Sequence, residues 1–449
     1  MKDKPTPPGF AEAMRYPLME SIFNRRTRRV MRGIKQVAAG SLSYSSSHDP
    51  QPLTALEEAV LISVISRTGR YTPPDRPFQD RDGKDILGSP NTHFTGRAAG
   101  SGDNGQMTYF FMMNDSGVYF LDHRRAGDVR VELTPDSLLE NAERIKVKVA
   151  DERIEFPRRY PYYLDSNRFL SNLPGSTIFM PIIEATRHYI NMLMYVLQFP
   201  DDQRPIFLDE LNGFRPFAPQ HWIDSGFLSS KVRVPLSAIV RFRTDVEVHL
   251  LLQNLSLATQ ALGLGGWIHA SLPTRHLLGH PNYTSEDNRG LGFRWLVPDR
   301  SPLPDADLSA LAHPVGLDGL IEGWCPPYYS SMSDAVDACI EAKYAEGTGT
   351  YGDATVLNKI FKPGLAEKYM SECPPFSERS IACAKEICEN IYETHGRFPP
   401  PLVSMDAIST PGIWLQAHHL DLDYYDELFN EGYADSQRDH QKLWHDEPE

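Results

Sequence analysis

Apolar residues recur on one face of PLTALEEAVLISVISRTG, residues 52–69. Thr54 stands where a helix start is capped, Glu57 follows three residues later as in a capping box, and Gly69 can end the turn, so the segment predicts a helix. Residues 11–39 read as helical too. Farther on, MTYFFMM and GVYFL flank an Asn-Asp-Ser-Gly turn and predict a hairpin. A helix is expected over EATRHYINMLMYVLQ, and a long one from Asp245 through VEVHLLLQNLSLATQALGLGG, closed by glycines that suit a left-handed turn. That helix is apolar on more than one face, which predicts a central position, with Gln253 and Asn254 satisfied by structural hydrogen bonds. GFRWLVP at 292–298 is a further strand. Helices around a few antiparallel strands make an α+β chain.

Composition narrows the function classes. The 449 residues carry a formal net charge of -14, which argues against nucleic-acid binding because a phosphate backbone needs a broad basic surface. Five cysteines without a CxxC pair suggest neither a disulfide framework nor a zinc knuckle, and free thiols fit a reducing compartment. With no secretory-type leader and no apolar run long enough to span a bilayer, the expectation is a soluble, cytoplasmic protein without membrane attachment. Against that acidic background, Arg25, Arg26, Arg28 and Arg29 surround Thr27. Alone, such a run reads as a solvated basic face; guanidinium forks beside a hydroxyl are also the donors that phosphate oxygens accept.

Three pieces fall in a telling order: the run Arg25–Arg29, the small-residue loop GRAAGSGDNGQ just before the hairpin, and LLQNLSLATQALGLGGWIHA. In these the chain resembles the FMN-dependent nitroreductase family and, more distantly, the azoline-oxidising flavin dehydrogenases. The resemblance implies a nitroreductase-like α+β fold, a central, mostly antiparallel sheet surrounded by helices, with large insertions. Residues 1–129 and 240–330 would form the two parts of the flavin-binding core, 130–239 an insertion covering the pocket, and 331–449 a C-terminal extension.

By the same resemblance, Arg25 and Thr27 contact phosphate and ribityl oxygens, Arg26 sits where another donor lies, and Arg29 faces the flavin N1 and O2 edge. Arg28 has no match and reads as surface. Ser101 and Asn104 offer polar groups to the pyrimidine edge or ribityl chain. Gly266, Trp267, Ile268 and His269 follow the stretch whose backbone serves N5 and O4. Relatives often carry a proline and an acidic residue there, which leaves open whether His269 donates a proton. Lys343 and Arg275 are candidate late-chain phosphate ligands without a motif. The implied activity is FMN-dependent hydride transfer from a reduced nicotinamide to a small organic acceptor in a homodimer. The alternatives are a flavin oxidase or dehydrogenase with dioxygen as acceptor, or a non-catalytic flavin-binding protein.

Other constellations carry less. His418, His419, Asp421 and Asp423 match no metal-ligand spacing, and consecutive histidines point to different faces, so no metal is expected and an aromatic cap with Trp414, Tyr424 and Tyr425 is. Cys325 reads as a buried thiol, and Glu393, His395 and Arg397 as a turn with ionic contacts.

Overall fold

The structure, a computed structural model, describes residues 6–37, 40–66, 71–75, 78–79, 82, 84–86, 89–126, 133–160, 162–270, 274–284, 290–401, 406–410 and 412–445. The helices that matter below are α1 (Pro8–Arg15), α2 (Leu18–Asn24), α3 (Ala55–Ile65), α4 (Thr186–Val196), α5 (Leu236–Ala261), α6 (Met332–Tyr344), α7 (Glu378–His395) and α8 (His440–His445). The main sheet is built from β1 (Thr108–Asn114), β2 (Gly117–Leu121), β3 (Lys146–Ala150), β4 (Thr177–Glu184), β5 (Gly265–His269), β6 (Ile408–Ser409) and β7 (Trp414–His418). Its spatial order is β5-β7-β4-β1-β2-β3, with β6 also on β4, and every pairing is antiparallel. Helices surround this sheet, so the α+β class read from the pattern holds.

Local signals explain the elements. Thr54 and Glu57 form the expected capping box, with the Glu57 carboxylate 2.6 Å from the Thr54 amide, and α3 closes at Ser66; Gly69 lies outside the described residues. The hairpin is present as β1 and β2, with Asn114 opposite Gly117, whose φ of 130° suits the turn. Strand β4 is buried at all eight positions. Its alternate residues enter different cores: Phe179 and Ile183 join the helix side, and Ile178, Met180 and Ile182 the side covered by Phe293, Leu277 and Trp414.

Three expectations need correction. The helical reading of 11–39 breaks into α1 and α2, because Pro17 cannot continue α1 and the described residues from Arg25 to Val37 are non-helical. Residues 130–239, expected as an insertion over the pocket, supply β3 and the central β4; 331–449, expected as an extension, supplies β7 between β5 and β4. Apolar pattern marks a strand but does not say which strand it pairs with. Finally, α5 starts at Leu236 rather than Asp245, and it is not covered all round: Phe242, Val246, Leu250 and Gln253 form an exposed row. Gln253 therefore faces solvent.

A buried polar junction holds α5 to the sheet. Glu247 on α5 accepts the Thr108 amide at 2.7 Å and lies 3.9 Å from the Arg97 guanidinium, which donates to the carbonyls of Ile65 and Thr108, each at 2.7 Å. Arg97→Ala leaves the Glu247 charge buried without its cation, and urea unfolding is expected to show a loss of about 3–5 kcal/mol, with Glu247→Gln losing less.

Candidate functional site

The arginine run leaves α2 at its C-terminus instead of riding on a long helix. Arg26 bends back to donate to the carbonyls of Phe23 and Arg25, at 2.7 and 2.9 Å, satisfying the helix end. The Arg28 amide then donates to the Gly266 carbonyl at 3.3 Å, which pins the run along the free edge of β5. Arg28 is buried, against the surface reading: its Nε donates to the Gly432 carbonyl at 2.7 Å and Nη1 reaches Gln260 Oε1 at 3.5 Å. It is a structural clamp, and burial lowers its pKa. Arg29 is anchored by its amide, 2.9 Å from the Tyr425 hydroxyl, and its guanidinium lies 5.4 Å from the centre of the Trp267 ring. Arg26, Thr27 and Arg29 are exposed and Arg25 half-buried. Among the described residues no carboxylate pairs with Arg25, Arg26 or Arg29.

Strand alternation divides the next candidates. Trp267 and His269 face inward and are buried; Gly266 is half-buried and Ile268 exposed. The two inward rings stack with centres 3.9 Å apart, and Trp414 Nε1 donates to His269 Nδ1 at 3.0 Å. Burial, then the nearby Arg29 charge and His418, bring the His269 pKa down to about 3. His269 is thus a neutral acceptor, unsuited to donate a proton near neutrality. Because the Gly266 carbonyl points to the free edge, the backbone groups of Ile268, two residues on, point there as well.

Ser101 and Asn104 lie elsewhere. Asn104, in left-handed backbone at φ 54°, spends its amide on the carbonyls of His93 and Thr95, at 3.0 and 2.9 Å. Ser101 Oγ accepts the Gln106 amide at 3.0 Å. Both side chains hold the loop in shape. Gly102 sits against Arg243 near the start of α5, where a Cβ would come within 2.9 Å of its side chain; Gly266 sits equally tightly against Thr259 near the end. Those contacts are sixteen residues apart on one helix, so the two groups of candidates are separated by roughly 24 Å within a chain. Of the late-chain bases, Lys343 is buried with its ammonium 3.4 Å from the Asn91 carbonyl, and Arg275 donates to the Ala310 carbonyl at 3.3 Å. The latter lines a cleft of about 380 Å³ together with Trp295, Arg397 and Asp406.

The fold also brings together residues that no linear spacing connects. His418 and His419 do face opposite ways: His418 lies under Gly265, whereas His419 meets Glu57 at 3.2 Å in a buried group completed by His440 and His445. Tyr424 and Tyr425 pack separately with Val30, Met31 and Ile34. Cys325 is a buried thiol with its pKa raised by burial, and His395 and Arg397 are paired with Asp209 and Asp406 at 2.7 and 2.8 Å.

No family model and no curated protein matches the chain. Among solved structures, it aligns with one described as a putative nitroreductase from Ralstonia eutropha JMP134, at 14% identity over 65% of this chain and 82% of that one, with a TM-score of 0.28. A superposition that loose transfers neither residues nor activity.

His269 and His188, both buried with pKa near 3, give acid sensitivity a definite sign. Each is neutral when folded, while the unfolded chain takes up the proton below about 6.5. Their contribution is complete above that pH and is lost as pH falls toward 3, by roughly 1.4 kcal/mol per pH unit for each group. Urea midpoints between pH 7.5 and 5 should fall accordingly, His269→Gln should flatten the slope, and NMR should show His269 not titrating in that range.

Proposed function

We propose that the chain is an FMN-dependent oxidoreductase of nitroreductase type acting as a homodimer, with flavin held between Arg25–Arg29 and β5 of one protomer and the Ser101–Asn104 loop of its partner. The observation that carries the reading is the exposure of large apolar side chains on α2 and α5, the helices that lead to the half-sites. Phe23 on α2 and Phe242 on α5 are 65% and 69% exposed, with Leu18, Met19, Val246 and Leu250 beside them. Ser21 Oγ, 3.4 Å from the Leu257 carbonyl, sets α2 against the C-terminal half of α5. Such a surface calls for a partner. A two-fold axis across the middle of α5 lays the arginine end of one helix beside the loop end of the other, which closes the gap between the half-sites.

The residues present suit the cofactor. Arg26 and Thr27 offer exposed donors to a phosphate and Arg25 a half-buried one, each charge-assisted bond contributing roughly 1.5–3 kcal/mol. When bound, FMN supplies a hydride acceptor at N5 that is reduced by a nicotinamide and returns hydride to a small organic acceptor. Arg29, positioned by Trp267 and Tyr425, would offer a cation to the negative charge that a bound flavin gains on reduction. The Ile268 backbone on the free edge of β5 would orient the ring without adding an acid. His269, neutral and buried behind it, would not supply a proton near neutrality.

Purified protein should carry the visible absorption of oxidised flavin and lose it on adding reduced nicotinamide. Arg25→Ala is expected to weaken FMN retention at least tenfold, and Arg29→Ala to slow reduction more than it weakens binding. Phe242→Asp should yield a monomer that no longer retains flavin. Protein that takes up no FMN, or a folded Phe242→Asp monomer that binds it normally, overturns the reading.

A further inference from the structure

The group around Glu57 is built in a way that plain hydrogen bonding does not satisfy. Three imidazoles converge on one carboxylate oxygen: Nε2 of His440, His419 and His445 lie 2.9, 3.2 and 3.3 Å from Glu57 Oε1. Glu57 and His419 are fully enclosed, His440 nearly so, and His445 is the most accessible. The other carboxylate oxygen, Oε2, is occupied by the Thr54 amide and hydroxyl at 2.6 and 2.8 Å, which fixes Oε1 toward the rings.

The far sides of two rings settle their tautomers. His419 Nδ1 is 3.0 Å from the Gln51 carbonyl and His440 Nδ1 is 2.7 Å from the Leu262 carbonyl. Carbonyl oxygens only accept, so both Nδ1 atoms carry hydrogen. His419 and His445 meet Glu57 Oε1 in hydrogen-bond geometry, whereas a neutral His440 aims a bare Nε2 lone pair at a carboxylate oxygen that also only accepts. Among the described residues, His440 Nε2, despite its 2.9 Å separation, lacks hydrogen-bond direction toward Glu57 and has no other partner. Facing lone pairs in a sealed site repel, and turning several rings into imidazolium would bury charges side by side. One cation among the four atoms removes both difficulties.

We infer that Glu57, His419, His440 and His445 form a binding site for a first-row divalent transition-metal ion, Zn²⁺ by donor type and closure. The four ligand atoms lie within 4.8 Å of one another. Metal–ligand bonds of roughly 2.0–2.1 Å make the edge of a tetrahedron about 3.3 Å, close to the three Nε2–Oε1 separations. Imidazole nitrogens favour such ions over calcium or magnesium. Backbone carbonyls on two Nδ1 atoms and Thr54 on the carboxylate are the outer contacts that orient metal ligands. Four protein ligands leave no open position, so the ion is structural: it ties α8 and the residue after β7 to the start of α3, directly behind the α5–β5 turn. The site stands independently of the flavin reading.

Untagged full-length protein, purified without chelator, is expected to contain about one first-row metal ion per chain by elemental mass spectrometry. Chelator should lower the Tm and Zn²⁺ restore it, and Co²⁺ in its place should give the visible absorption of a tetrahedral site. His445→Ala, the mildest ligand change, should weaken Zn²⁺ affinity at least a hundredfold while far-UV circular dichroism stays native, and His440→Ala should abolish stoichiometric binding. If His440→Ala does not fold, the wild-type chelator series and His445→Ala decide the matter. Protein whose Tm is indifferent to chelator and Zn²⁺, or folded variants that bind Zn²⁺ as wild type does, would rule the site out.

Discussion

Strand β4 is buried along its whole length, and a strand so placed must be hydrogen-bonded on both edges, since any amide left open would lie in an apolar core. Its neighbours come from opposite ends of the chain, β1 from the first third and β7 from the last forty residues. Everything at the candidate sites is referred to that three-strand centre. β7 carries β5 on its outer edge, β5 carries the arginine run on its own, and the turn after β7 carries His419 into the Glu57 group.

The centre also explains why the residues singled out by the family resemblance are divided. Helix α5 crosses the sheet as one 26-residue rod, locked at its N-terminal half by Glu247 on Arg97 and Thr108 and followed at its C-terminus by β5. A rigid element of that length holds its two ends apart. In the proposed dimer, the uncovered apolar row beside it would receive a second copy, and the two half-sites would meet across that contact.

What was readable in the residues was local. The Thr54/Glu57 capping box, the Asn-Asp-Ser-Gly hairpin, the helix through Tyr189 and the glycine-closed helix α5 all rest on neighbours in sequence, so short-range chemistry dictated them. The break at Pro17 is equally local, since a proline outweighs helical periodicity on either side of it. Arg28 shows the other kind of miss: its burial depends on the carbonyl of Gly432, 404 residues away. Asn104 likewise resembles a free polar group in a glycine-rich loop, but the carbonyls that consume its amide belong to His93 and Thr95 in the folded loop.

By itself, then, the sequence determined the class of elements, the acidic balance, the absence of paired thiols and a cation-rich run unlike the rest of the chain. Tertiary structure decided which of those cations stay free, that Trp267 and His269 turn inward while Ile268 turns out, and that residues 57, 419, 440 and 445 meet at one carboxylate oxygen. The physical reason is range. Caps, turns and periodicity act over a few residues and leave a linear signature, whereas strand pairing and the convergence of side chains on a buried point are set by packing across hundreds of residues.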